Sequence, residues 1–234
     1  MCTVLLRFDP DAAWPVLLAA VRDEYLARPW EPPAEHWPGR FGGRDSTAGG
    51  TWLAVDPARP SVTALLNGFP HLPTPAVGDR PTRGSLPLAP VLPPDEILRS
   101  FDTFHLVHAE PTEVTVTTWD GVNVTHRHLE PGDHVIVNQG VDVNDFARLR
   151  AVATPDPKPG GTTAEAWADW TALLTGGEFT GAAVRPLLVR REVDGLLYGS
   201  SSASLVAIGE PGVRYDFTAN PGPAAVWDEI HLPD

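Results

Sequence analysis

The chain has 234 residues, 42% of them hydrophobic and 20% charged, with 26 Pro and 21 Gly, enough to bury a sizeable core while leaving much of the chain in turns. Its formal charge of −13, from 30 acidic against 17 basic residues, repels phosphate backbones and anionic lipid surfaces, so neither nucleic acid nor membrane is expected as a partner. Apolar runs such as PVLLAAV and SLVAIG are too short to span a bilayer, and a lone cysteine forms no internal disulfide. The expectation is one soluble, cytoplasmic domain over residues 1–234, with the oligomeric state open.

TVLLRF (Thr3–Phe8) is β-branched and apolar and reads as a strand, followed by the turn residues DPDAAW. The next stretch, AWPVLLAAVRDEYLARPW, is ambiguous. Its periodicity favours a helix slightly, yet Pro15 and Pro29 bracket an apolar run short enough for a buried strand. GGRDSTAGGTWLAV reads as a glycine-punctuated turn entering a strand at 51–55, and SVTALLN as a strand ending at Asn67, the pair forming a hairpin across DPARP. Residues 68–94 are Pro-rich and irregular, with DEILRSF a short helix beyond them. FHLVHAE, EVTVTTWD, VNVTHRHL and DHVIVN read as a four-strand meander, with Asp120-Gly121 the strongest hairpin signal in the chain. VNDFARLRA suits a helix, TPDPKPGG a loop, and TTAEAWADWTALL a helix capped by Thr162 or Thr163 and stopped by Gly-Gly. GLLYGS, SASLVAIG and VRYDF close the chain as strands. The sum is a largely antiparallel α+β structure with helices packed on sheets.

Cys2 stands where loss of the initiator Met would make it N-terminal. Its free α-amine, with an ordinary pKa near about 8, could then act as base for its own thiol, so that one residue supplies both nucleophile and base. The bland alternative is a small buried hydrophobe. Arg22, Asp23 and Glu24 read as a solvated charge cluster or as charged neighbours of that thiol. His126 and His128 lie two apart on one strand face with Glu130 and His134 nearby, but the spacing to Glu130 is short for a metal site and no second motif follows. No bound metal and no cofactor are therefore expected. Asn67 and Asn138 each end a strand, as turn residues or as amide donors to an oxyanion. The run of Ser200, Ser201, Ser202 and Ser204 lacks the glycine pattern of a nucleophile elbow.

Taken together, MC at the start, VRDEYLARPWEPPAEHW, GGRDSTAGGTWLAV and SVTALLN resemble, in order and spacing, the NRDE family, which includes the Transport and Golgi Organization protein 2 group. The match over residues 1–67 is specific. Beyond it, PGDHVIVN and YGSSSASLVAIG are similar to later family segments. Two positions depart from the pattern: Val21 stands where the hallmark has Asn, and Ser201 where the family usually has Arg.

The resemblance implies an N-terminal-nucleophile hydrolase with a four-layer αββα sandwich, akin to choloylglycine hydrolases and penicillin acylases. It also implies a strand at PVLLAAVRDE hairpinned to the first, overruling the helical preference. It makes Cys2 the nucleophile, Arg22 and Asp23 its neighbours, and Asn67 and Asn138 candidate oxyanion donors, with Glu24, Arg44, Trp52 and Ser201 contacting substrate. The neighbouring cations should lower the thiol pKa below its free value of about 8.5. Two functions follow, each with a small-molecule partner. One is an amidohydrolase acting on a non-peptide N-acyl bond. The other is a carrier of haem, lipid or acyl-CoA that reuses the hydrolase fold.

Overall fold

Short β-branched and apolar runs, punctuated by Gly, Pro and Asp turns, turn most of the chain into strands. The computed structural model describes residues 2–73, 79–143, 161–167, 170, 171, 174 and 187–233. In chain order the elements are β1 (Thr3–Phe8), β2 (Val16–Tyr25), β3 (Trp30–Trp37), β4 (Arg40–Asp45), β5 (Leu53–Asp56), β6 (Ser61–Asn67), α1 (Asp95–Leu98), β7 (Phe104–Glu110), β8 (Glu113–Trp119), β9 (Val124–His128), β10 (Gly132–Val137), β11 (Gly140–Val141), α2 (Thr163–Trp167), β12 (Arg190–Val193), β13 (Leu196–Gly209), β14 (Gly212–Thr218) and β15 (Asp228–Glu229), with a 3-10 turn at Arg83–Leu88.

Among the described residues these strands make two antiparallel sheets. The first runs β11-β10-β1-β2-β13-β14-β15, with β12 paired to β13; the second is the sequential meander β3-β4-β5-β6-β7-β8-β9. The inner faces share one core built from Val4, Leu6, Val16, Leu18 and Val206 of the first sheet and Leu53, Val62, Val107 and Val116 of the second. The outer face of the first sheet is covered by Ala166 and Trp167 of α2 and by Trp170 and Leu174, packed on Leu5, Leu17, Val21 and Leu205. Leu86 of the 3-10 turn and Leu98 of α1 cover the other outer face, against Phe104, Leu106 and Trp119.

PVLLAAVRDE is a strand, not the helix its periodicity slightly favours. Residues 16–21 of β2 are all buried, alternate side chains going to the inner and outer cores. A strand buried on both faces loses the two-residue alternation that would announce it. It pairs antiparallel with β1, Thr3 opposite Val21 and Phe8 opposite Val16.

The β5–β6 hairpin and α1 form as expected, as does the β8–β9 hairpin at Asp120-Gly121, where Gly121 takes φ +93°. DHVIVN departs from the expected meander. As β10 it crosses to the first sheet and pairs with β1. GLLYGS and SASLVAIG are one strand, β13, interrupted by a register shift between Ser200 and Ser202. GGRD is not a turn but the end of β4, paired with β3. Its partner carries Pro32 and Pro33, which a strand tolerates at a sheet edge where their missing N–H groups cost no ladder bond. α2 begins as expected at Thr162, which exchanges bonds with Glu165: the Thr162 N–H donates to the carboxylate at 2.8 Å. VNDFARLRA and TPDPKPGG, apart from Val143 and Gly161, and the Gly-Gly stop at 176–177 lie outside the described residues.

A candidate active site at the N-terminal strand

Cys2 heads β1, half-buried against the inner core. Its Sγ lies 3.8 Å from the Asp23 carbonyl of the neighbouring strand, to which it donates a weak bond, and that carbonyl also accepts from the Tyr198 hydroxyl at 3.1 Å. The thiol opens into a cleft of about 190 Å³ between the ends of the two sheets, lined by Cys2, Arg22, Asp23 and Glu24 from the first sheet and by Asp45, Trp52 and Asn67 from the second. Arg28, Thr82 and Arg83 complete its rim.

The register shift in β13 places two consecutive hydroxyls on two of the three charged residues of β2. Ser200 Oγ donates to Asp23 Oδ1 at 2.6 Å and accepts from the Val189 N–H at 2.9 Å. Ser201 Oγ accepts from Arg22 Nη1 at 2.9 Å and donates to the Arg22 carbonyl at 3.2 Å. Side chains of a regular strand alternate between faces, so neighbouring serines reach adjacent partners on one strand only where a bulge re-aims them. Arg22 then stretches across the cleft: its Nη2 is 3.5 Å from Asp45 Oδ2 and its guanidinium lies over the Trp52 ring. Asp45 is held in turn by Arg28 Nε at 2.6 Å and by the Thr47 and Ala48 N–H groups.

Burial pushes the Cys2 thiol up, with the Asp23 carboxylate adding to the rise and Arg22 opposing it. The expected depression of the thiol is therefore reversed. The half-buried sulfur loses more hydration than the cations return, because Arg22 is already shared with Asp45 and Glu24. Burial likewise raises the Asp23 carboxyl, against the lowering pull of the Ser200 hydroxyl bond. Asp45 is also pushed up by burial, but Arg28 and the two backbone N–H groups outweigh that and leave it below the usual carboxylate range.

Of the residues singled out in the sequence, Cys2, Arg22, Asp23, Glu24, Trp52 and Asn67 meet at the cleft. Ser201 sits behind Arg22, 8% exposed. Asn138 is not on the lining. Its Nδ2 donates to the Asn67 carbonyl at 2.6 Å and its own carbonyl lies 3.2 Å from His105 Nε2, so it ties the end of β10 to β6 and β7. Arg44 does not join the cleft either, and pairs at 3.6 Å with Glu31 on exposed surface. Val21 points away from the cleft into the outer core. His126 and His128 part company: His126 bonds Thr117 and Asp95, His128 faces Glu113 at 3.4 Å. No group of three His, Cys, Asp or Glu side chains among the described residues is placed to hold a metal ion.

Three charged cleft residues went unremarked in the sequence. Arg28 and Asp45 lie inside the quoted ARP and GGRD motifs and could have been found from them. Arg83 lies in a Pro-rich stretch with no periodicity to flag it. The structure shows why it reaches the site: the Thr51 N–H donates to the Gly84 carbonyl at 2.9 Å, and a Cβ on Gly50 would collide with the Gly84 backbone. Glycine at 50 thus lets the Arg83 turn close on the cleft.

Comparison with known proteins places the chain in a family. A family model described as Transport and Golgi organisation 2 matches residues 1–151, which carry β1, β2 and the whole second sheet. The chain belongs to that family. No curated protein matches it. In this Transport and Golgi organisation 2 family member the matched region supplies every cleft residue named above, while the serines that steady Arg22 and Asp23 come from β13 beyond it. No helix among its described residues is long and apolar enough to cross a membrane.

Proposed function

We propose that this chain is an N-terminal-cysteine amidohydrolase that cleaves a non-peptide amide of a small molecule in the cytoplasm, as a single αββα domain of the N-terminal-nucleophile type. The observation that carries the reading is the position of Cys2: the one cysteine of the chain heads a core strand, with its thiol at a cleft whose charged walls come from both sheets. Two packed sheets with helical segments on both outer faces support the layered architecture.

The reading requires a mature chain that begins at Cys2. The α-amine then takes the thiol proton as the sulfur–carbon bond forms, which suits a thiol that burial keeps neutral at rest. The side-chain amide of Asn67, exposed at the cleft, is the candidate donor to the oxyanion. The α-ammonium returns the proton to the leaving nitrogen as the carbon–nitrogen bond breaks, releasing amine and leaving a thioester. Water then attacks the thioester, giving one proton to the α-amine, which passes it to the departing thiolate. Asn138 acts through Asn67 as a positioning residue.

A carrier of haem, lipid or acyl-CoA remains the second reading. Ligand pockets for molecules of that size usually exceed about 300 Å³, and the cleft at Cys2 is smaller and mostly polar. A larger cavity of about 290 Å³, close to that lower bound and partly lined by Leu86, Pro87 and Leu106, lies on the outer face of the second sheet and is the better place for a carried ligand.

The test is a screen of N-acyl compounds against wild type and Cys2→Ala, with intact and native mass spectrometry. Hydrolysis by wild type lacking Met1, absent from Cys2→Ala, is expected. Retained Met1, or copurified haem or acyl lipid with no turnover, would overturn the enzyme in favour of the carrier.

A further inference from the structure

The cleft is lined by three guanidinium groups, and two of them are neutralised inside it. Arg22 is shared between Asp45 at 3.5 Å and Glu24 at 4.0 Å, and Arg28 between Asp45 at 2.6 Å and Glu24 at 3.9 Å; both carboxylates line the same cleft. Arg83 differs. Its Nη1 donates to the Thr103 carbonyl at 2.8 Å and lies 3.7 Å from Asp102, neither of which lines the cleft. Its Nε and Nη2 have no protein partner among the described residues. The guanidinium is therefore gripped from behind by one nitrogen while its remaining edge stays open. Its turn is pinned by the Thr51 to Gly84 bond and capped by Thr82, so the group is held in place before any ligand arrives.

A fixed, partly buried guanidinium with a free edge is the preferred partner of a planar carboxylate, which it can bind through two parallel bonds. Burial lowers the pKa of Arg83, with Asp102, Cys2 and Glu24 acting against that, so its charge is felt at the thiol. We propose that Arg83 is a specificity residue that receives a carboxylate of the substrate, so that the cleft takes small amides carrying a free carboxylate. This rests on the amidohydrolase reading of the same cleft. It also agrees with the size of that cleft, about 190 Å³, and with its polar walls, which favour a short acidic amide over a long acyl chain.

Protection of Cys2 from iodoacetamide, read by intact mass, tests the proposal without needing turnover. The probes are N-acetylglycine and succinamic acid, with the neutral N-acetylglycinamide and succinamide as matched controls. At least one acid is expected to protect, with its neutral partner at least tenfold weaker. Arg83→Gln should abolish that difference, and Arg83→Lys, which keeps the charge but not the fork, should retain a reduced one. Equal protection by acid and neutral amide, no protection by either acid, or an unchanged preference in Arg83→Gln would overturn it. Should Arg83→Gln fail to fold, the wild-type comparison decides alone. Hydrolysis is assayed separately, so protection without cleavage would sink the amidohydrolase while leaving the carboxylate site standing.

Discussion

Arg22 lies over the ring of Trp52, its guanidinium carbon 4.4 Å from the ring centroid, so that one residue from each sheet meets face to face in the cleft beside Cys2. Such a contact contributes on the order of 0.5–2 kcal/mol. Its wider effect is geometric, because Trp52 also meets Trp30 edge-on and so has little freedom to move.

Gly43 keeps that tryptophan in place. A Cβ at this position would collide with the outer edge of the Trp52 ring. Gly43→Ala should cost about 1–3 kcal/mol by urea unfolding, as overpacking does. The same change made on a Trp52→Ala background should cost less than half as much, since the clash is gone. Additive costs would show that the glycine serves some other end.

The Cys2 thiol should titrate high. In protein that retains Met1, the midpoint of iodoacetamide labelling should lie above the free value of about 8.5, because burial disfavours thiolate. A raised pKa means less thiolate at neutral pH, hence labelling slower than free cysteine and accelerating into the alkaline range. Asp23→Asn removes a repelling carboxylate and should move the midpoint down, whereas Arg22→Gln should move it up. Opposite shifts would reverse the electrostatic account.

Ser200→Ala removes the hydroxyl that holds down the Asp23 carboxyl and leaves the Val189 N–H without its bond. It should cost about 1–3 kcal/mol of stability, the usual penalty for a buried group left unpaired. The Asp23 carboxyl itself should titrate at higher pH than in wild type, read by carboxyl NMR, since the same hydroxyl bond lowers its pKa. Ser200→Thr, which keeps the hydroxyl, should restore the wild-type titration.

Asp216 is fully buried at the centre of a lock with three partner residues. It accepts from Arg214 Nε at 2.7 Å, Thr163 Oγ1 at 2.6 Å and Trp167 Nε1 at 2.7 Å, fastening α2 to β14. Asp216→Ala should cost about 3–5 kcal/mol, because it removes the buried carboxylate that Arg214, Thr163 and Trp167 share. Thermal melting with and without the substitution measures it. Asp216 lies three strands from β1 in the first sheet and does not line the cleft, so Cys2 labelling in the folded variant should be unchanged.

Much of the fold was legible in the sequence where turn chemistry and strand composition agree, as at SVTALLN and around Asp120-Gly121. The motifs surrounding Cys2 likewise brought six of the nine named site residues to one cleft, namely Cys2, Arg22, Asp23, Glu24, Trp52 and Asn67. Other features depend on contacts that no local pattern records. The crossing of β10 to the first sheet is decided by pairing with β1 far upstream, and Asn138 is drawn off the cleft by the Asn67 and His105 partners that this crossing creates. Arg83 is brought in by a docking of two glycine-bearing turns, visible only in three dimensions.

The hallmark on β2 is divided between two environments. Successive letters of a strand answer to different neighbours: Val21 looks into the outer core beside Leu5 and Ala203, while Arg22 and Glu24 look into the cleft. A signature written as a line of text weighs its characters equally, whereas the fold sorts them, Val21 by the volume of the outer core and the three residues after it by the charge of the cleft. The replacement at 21 falls where a side chain is chosen by volume, and the charged letters that line the cleft, Arg22, Asp23 and Glu24, are all kept.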